Sequence, residues 1–204
     1  MTGLINASGS SLYDLVNSYV DQPNARSLTL EDLNSLGNLD DAFYDWGNNL
    51  RGHLKLTGLT GLYGDIDYGL EYNNALESVE LSGLENVTSA YEAFYECYSL
   101  KSVKLEGTQN LENVEYMFED CYYMEKAPLF DTSSVTDMYG MFEYCYALTD
   151  VPLYDTSKVE DMSYMFYDCT SLQTIPQFDT SSVQDFYDMF EYCYSLETIP
   201  LLDT

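Results

Sequence analysis

Apolar positions recur along this chain with a fixed spacing, and the recurrence becomes strict in three units that open on Asp-Thr-Ser at Asp131, Asp155 and Asp179. The units are DTSSVTDMYGMFEYCYALTDVPLY, DTSKVEDMSYMFYDCTSLQTIPQF and DTSSVQDFYDMFEYCYSLETIPLL, and the last two agree at 13 of 24 positions. Repetition at this period marks a solenoid, in which each coil buries its apolar face only by stacking on its neighbours. The two halves of a unit differ in period. Val183, Phe186, Met189, Phe190 and Cys193 fall at i, i+3, i+6, i+7 and i+10, the spacing of a helix lying on a core. Leu196, Ile199 and Leu201 then read as an extended segment, as do Leu148, Val151 and Leu153. Each coil is expected to carry a helix outside and a short strand inside.

Upstream the repeat is worn. His53 to Leu59 and Ser78 to Leu84 are one segment seen twice, at nearly the interval of the later units. The clean register then begins with Ala93-Phe94 and Cys97. Residues 1–40 differ in pattern and are expected to form an N-terminal helical cap on a solenoid spanning 41–204, since a first coil without one would expose its apolar face. Leu12, Leu15, Val16, Tyr19 and Val20 mark one helix face, after a capping-box-like Ser11 to Asp14. Thr29, with Leu30, Leu33 and Leu36, predicts a second helix ending at Gly37. Ser181 with Gln184, and Ser157 with Glu160, are the expected N-caps of the coil helices. Pro128, Pro152, Pro176 and Pro200 stand where stacked strands are predicted. Proline lacks the N–H of a ladder bond, so the sheet should be interrupted there.

Charge changes the picture more than composition does. The 35 Asp and Glu against 7 Lys and Arg give a net charge of -28 over 204 residues. Such a field repels nucleic acids and anionic membranes and favours cationic partners. The 21 Tyr and 9 Phe beside one Trp and one His suit a recognition surface, because tyrosine packs its ring and keeps its hydroxyl wet. The opening residues lack a basic and then apolar leader, and no run approaches the ~20 apolar residues of a membrane helix. No signal peptide is therefore read in this chain, and the expected location is an extracellular surface or a virion. Cys97, Cys121, Cys145, Cys169 and Cys193 form a strict ladder, one to a unit. They read as small buried thiols rather than a disulfide framework or a zinc site.

Candidate chemistry is sparse. Asp131, Asp155, Asp179 and Asp203 are read as helix-capping and turn residues, since no calcium loop with its turn glycine surrounds them. Asp137, Asp161 and Asp185 are read as the solvated face of the helix. Met117, Met141, Met165 and Met189, each followed by Phe, are core. His53 is the one histidine and has no nucleophile motif around it, so no catalytic, cofactor or metal residues are assigned and the protein is expected not to be an enzyme. Two columns lie outside the core. Tyr98, Tyr122, Tyr146 and Tyr194 follow the cysteines, with Thr170 between, and are the candidate partner-binding residues. Phe130, Tyr154, Phe178 and Leu202 form a sealing edge. Leu201 and Leu202 close the last unit and are the candidate assembly end, through which another chain or another copy would dock.

The repeated phrases DTSSVTDMYGMFEYC, DTSKVEDMSYMFYDC and DTSSVQDFYDMFEYC, each followed by Leu and then a hydrophobic-Pro pair, resemble the BspA-like leucine-rich repeat surface proteins over roughly residues 80–204. The expected fold class is therefore α/β, a leucine-rich-repeat-type solenoid of about five to six coils with the helical cap, each coil about 24–25 residues long. The resemblance implies binding or adhesion to proteins or cell surfaces, with no catalytic residues. Together with the charge, the hydropathy and the tyrosines it gives the expected role, a binding module for a protein or surface glycan, with no nucleic acid, no membrane insertion and no cofactor, and with a homo-oligomer or larger assembly through the last coil as a further option. A bacteriophage fibre, decoration or host-attachment component is one form of it. Two other readings stand beside it: a purely structural particle-assembly protein, and an acidic intracellular inhibitor that mimics nucleic acid.

Overall fold

The computed structural model describes residues 2–4, 26–37, 39, 43 and 50–202. Five parallel strands stack in the order β1 (Thr2–Leu4), β2 (Ser27–Glu31), β3 (Gly52–Leu56), β5 (Leu76–Ser82) and β7 (Ser102–Glu106). On a second side β4 (Gly64–Asp65) pairs with β6 (Val87–Ser89). The register steps from coil to coil as Ser27 to His53, His53 to Ser78 and Ser78 to Ser102. The sequence offset thus tightens toward that of the later units. The pairing of His53 with Ser78 matches the worn repeat seen in the sequence.

The strands form where β-branched and leucine residues alternate with polar ones, as in the inward Val79 and Leu81 of β5. They stop after β7 for a reason that was legible in the sequence. The register continues to the 126–130 segment, where Pro128 takes the place of Lys104. Beyond it the inner line keeps the isolated bridge between Lys126 and Asp150 and one amide per coil, Thr149 to Glu125, Gln173 to Thr149 and Glu197 to Gln173. With the ladder gone, Leu129 and Leu153 are 71% and 65% exposed. The parallel line on the opposite side persists as bridges from Ser89 through Asn113, Asp137 and Asp161 to Asp185.

The expected helices are absent among the described residues. The start of the second cap helix, expected at Thr29 with Leu30 on its inner face, is instead the end of β2, paired with β3. The first cap helix, around Leu12 to Val20, lies outside the described residues. The helical half of each coil is a run of tight turns. In one coil Ala93, Tyr95 and Cys97 donate their amides three residues back, to Ala90, Glu92 and Phe94. The alternate amides of Glu92, Phe94 and Glu96 donate to Glu115, Met117 and Glu119 of the next coil. Two residues per coil take positive φ, as in Glu92 (50°) and Glu96 (53°) or Tyr116 (51°) and Asp120 (61°). An α-helix does not tolerate that conformation.

A chain of three-residue turns returns side chains to one side about as often as a helix does. Ala90, Ala93, Phe94, Cys97 and Leu100 are all buried, and the apolar period was therefore right while the backbone inferred from it was wrong. Ser157 and Ser181 correspondingly do not cap helices. Asp155 and Asp179 accept hydrogen bonds from the Ser157 and Ser181 amides at 3.1 Å, and Asp131 does so from Ser133 at 3.0 Å. These are Asx turns, so the turn role of this column holds and its capping role does not. Asp203 lies outside the described residues.

The core is a set of ladders. Phe94, Phe118, Phe142, Phe166 and Phe190 stack with ring centroids 5.2, 5.5, 5.9 and 5.9 Å apart. Four of the five cysteines are buried, and each thiol donates to a carbonyl of the preceding coil, Cys145 to Phe118 at 3.2 Å for example. Asn73 holds the same position one coil above Cys97 and donates to Phe43 O (2.7 Å) and Leu70 O (2.8 Å). Phe130, Tyr154 and Phe178 seal the edge as expected, with the Tyr154 hydroxyl donating to Pro128 O at 2.7 Å.

Removing one rung from the phenylalanine ladder tests this packing. Phe142→Ala, in the middle of the stack, is expected to cost ~3–5 kcal/mol of unfolding free energy by urea titration. Phe190→Ala, at a partly buried rung of the last described coil, should cost less than half of that.

Candidate binding face

The turn runs build a face of tyrosines and carboxylates. Its organising feature is a dipeptide whose order alternates from coil to coil: Asp67-Tyr68, Tyr91-Glu92, Glu115-Tyr116, Tyr139-Gly140, Ser163-Tyr164 and Tyr187-Asp188. Tyrosine occupies the first place in one coil and the second, positive-φ place in the next. The rings form one continuous zigzag, Tyr68–Tyr91–Tyr116–Tyr139–Tyr164–Tyr187, with centroids 5.4, 6.0, 5.0, 5.3 and 5.3 Å apart. Most contacts are edge-on or tilted, the arrangement that aromatic quadrupoles prefer. Gly140 belongs to this device: its φ is 58°, and a Cβ there would sit 2.5 Å from the Tyr116 ring. Tyr116 therefore lies directly against backbone.

Four residues further along each coil a second line runs through Tyr72–Tyr95 and Tyr144–Tyr167–Tyr192. It is broken in between by Glu119 and Asp120. The column predicted from sequence is a third line. Tyr98, Tyr122 and Tyr146 stack at 4.7 and 5.0 Å, and the Tyr98 hydroxyl donates to Glu96. Thr170 interrupts it, and Tyr194 stands 77% exposed beyond the gap, beside Tyr192. Tyr98 and Tyr122 are half-buried and Tyr146 is 38% exposed. The line therefore belongs to the face, neither sealed in the core nor free of it. The larger zigzag escapes a column-by-column reading because no single column holds it. Its signal is the alternating order of the dipeptide.

Asp137, Asp161 and Asp185 are not a solvated helix face. Each carries the outer bridge line and accepts a hydrogen bond from the amide two residues on: Tyr139 at 2.9 Å, Ser163 at 2.7 Å and Tyr187 at 2.9 Å. They are turn formers. Leu201 is 79% exposed and Leu202 half-buried, with Leu201 O accepting from Gln177 Nε2 at 2.6 Å. His53 shares a hydrogen bond with Ser78 Oγ at 2.9 Å across the sheet. Among the described residues no carboxylate is hydrogen-bonded to its other ring nitrogen, and no cluster of His, Cys, Asp and Glu could hold a metal.

Cations and anions are segregated around the coil. None of the seven Lys and Arg falls in the turn runs that carry the tyrosines. Lys55 pairs with Glu80 (2.8 Å), Lys101 with Glu77 (3.0 Å) and Lys104 with Glu106 (2.7 Å), all on the sheet side. Among the described residues these three pairs leave the carboxylates among the tyrosines without a lysine partner. Burial, reinforced by repulsion from Glu143 and Asp120, pushes Glu119 up to about 8. Burial together with Glu92 and Glu96 pushes Glu71 up to about 7. Glu143 rises to about 7 and Asp120 to about 6, in both cases mainly through burial. Burial and Asp137 raise Glu115 as well. Burial and the adjacent carboxylates hold the Tyr122 and Tyr144 hydroxyls up at about 12, so the face carries phenols and not phenolates at neutral pH.

A stack of coils bearing a polar aromatic face is the geometry of a repeat scaffold. Residues 88–200, more than half of the chain, match the family described as "Mycoplasma protein of unknown function, DUF285", and the chain belongs to that family. No curated protein matches it. Among solved structures, a leucine rich cell surface protein from Faecalibacterium prausnitzii A2-165 aligns over 84% of this chain and 78% of its own, at 13% identity and a TM-score of 0.30. A likeness that low carries nothing over.

The unpaired carboxylates set a pH dependence whose sign is fixed. An acid whose folded pKa is raised costs nothing below its unfolded value near 4.5 and its full ionisation penalty above the folded value. Stability should therefore fall as pH rises from about 5 to about 8. Asp131, Asp155 and Asp179, held low by their serine hydrogen bonds, act oppositely and only below about 4. The melting temperature is expected to peak near pH 5. Glu119→Gln should raise it at pH 8 by about 2–4 °C, the shift that ~1 kcal/mol gives in a chain of this size once solvent screening of a half-buried group is allowed for. Calorimetry between pH 4 and 9 checks both.

Proposed function

We propose that this protein is a non-enzymatic binding module. It works at a cell or particle surface, as the BspA-like resemblance of its repeats suggests, and presents the tyrosine–carboxylate face to a protein or glycan partner. The observation that carries this reading is the continuous six-ring zigzag, with no Lys or Arg in the same turn runs. Core packing does not require it, because the phenylalanine, methionine and cysteine ladders already fill the interior. Tyrosines fixed in place lose little entropy on binding and offer both ring and hydroxyl, which is why they are enriched at interfaces. A second role rests on a different observation. Leu129 and Leu153, and Leu201 beyond the interrupting Gln177, are exposed at one position of the coil where the sheet has lapsed, apolar points suited to assembly contacts in a particle.

The test is binding of the labelled full chain to arrays of basic proteins, acidic proteins and neutral glycans. Tyr116→Ala/Tyr139→Ala/Tyr164→Ala is expected to weaken every specific interaction at least ten-fold. Tyr123→Ala, at an exposed tyrosine outside the ladders, is expected to leave them unchanged. Undiminished binding by the triple variant, with its circular dichroism intact, rules out the face.

A further inference from the structure

We propose that the zigzag is a docking track for an extended, cationic polypeptide segment in the polyproline II conformation that places Lys or Arg at every third residue. This rests on the binding role proposed above and specifies its partner.

Charge selects the class of partner. The face crowds Glu92, Glu115, Glu119 and Asp120 among tyrosines, and the positive charges that could neutralise them are elsewhere: Lys55, Lys101 and Lys104 are already paired on the sheet side. A second copy of this chain does not fit, because two molecules of net charge -28 would meet acidic face to acidic face. A Lys or Arg head set over Glu92 or Glu115 would gain a carboxylate and the adjoining tyrosine rings together, and over Gly140 or Ser163 the rings alone. The rings stand edge-on or tilted to one another and so do not form the coplanar shelf on which a sugar ring would stack.

Spacing selects the conformation. Because tyrosine alternates between two columns, each column repeats every second coil. Tyr91, Tyr139 and Tyr187 form one column, with Glu115 and Ser163 in the gaps. Tyr68, Tyr116 and Tyr164 form the other, with Glu92 and Gly140 in the gaps. Coils stacked at strand spacing, about 4.8 Å, give a period of about 9.6 Å. Three residues of polyproline II rise about 9.3 Å. The two-residue repeat of a β-strand advances about 6.8 Å and one helical turn about 5.4 Å, and neither stays in step beyond one gap. A polyproline II segment also arrives already extended and so loses little entropy on docking.

The experiment compares three peptides of equal length on the full chain by fluorescence anisotropy at moderate salt and pH 9, above the raised values of Glu115 and Glu119: (Lys-Pro-Pro)6, an isomer of identical composition with its six lysines in one block, and (Glu-Pro-Pro)6. The periodic cationic peptide is expected to bind at least ten-fold tighter than the blocked isomer, and the acidic peptide not at all. Glu115→Gln/Glu119→Gln should weaken the periodic peptide about ten-fold while raising the melting temperature at pH 8, opposite signs that a merely structural role would not produce. Equal affinity for the periodic and blocked peptides overturns the track. Failure of both cationic peptides, while arrayed glycans or other proteins still bind through Tyr116, Tyr139 and Tyr164, overturns the cationic partner and leaves the binding face standing. Loss of all Tyr-dependent binding overturns both.

Discussion

The structure depends on the transfer of backbone hydrogen bonds from within each coil to the coil beneath it. Along the turn runs every second amide is used locally, and the others, such as Phe118 to Met141 and Phe142 to Met165, donate to a carbonyl of the following coil. That pattern requires the chain to reverse sharply twice per coil, and it does so at positive φ. Twelve described non-glycine residues take that conformation, Tyr68, Glu92, Asp120 and Tyr192 among them, at about 1–2 kcal/mol each. No isolated coil would accept this. Stacking over-determines it, because the amides are satisfied by the following coil, the thiols by the preceding one and the phenylalanine rings by both.

Much of this was legible in the residues. The period, the identity of the core ladders, the pairing of the His53 and Ser78 segments and the lapse of the sheet at the proline column all follow from spacing and from what proline lacks. The helices did not follow, for a physical reason. The i, i+3, i+7 signature reports how often side chains return to one side, and a succession of three-residue turns returns them nearly as often as an α-helix does. What separates the two is the sign of φ, which has no composition signature when Tyr and Glu occupy the left-handed positions where Gly or Asn would announce them. Gly140 alone does so, and it occupies the same place as Tyr116 and Tyr164. The second cap helix failed in the same way, its leucines being shared by strand and turn.

The candidate face was half legible. The Tyr98, Tyr122 and Tyr146 column is visible as a column because one position repeats. The zigzag is divided between two adjacent positions and becomes a ladder only when coils are placed in register, with the side of the coil known. Likewise Asp137, Asp161 and Asp185 look like surface charge in sequence, and only the fold assigns their oxygens to amides two residues on.

That alternation also limits repulsion. Carboxylates one coil apart in a column sit about 4.8 Å from each other, where two unit charges in a moderately screened environment repel by roughly 3.5 kcal/mol. Exchanging Tyr and carboxylate between neighbouring columns moves the next carboxylate of the same column two coils away and sets that of the next coil on a diagonal, as Glu92 to Glu115, which lowers that energy while leaving the rings in contact. Asp137, Asp161 and Asp185 break the rule, but each is stabilised by an amide. Glu119 and Glu143 break it without such help, in consecutive coils of one column, and Glu119 is the carboxyl pushed furthest up, to about 8, with Glu143 the leading cause after burial. The strain in this acidic surface is thus concentrated where the tyrosine alternation fails. That gap, bordered by Tyr95 and Tyr144, is where a cation would relieve most.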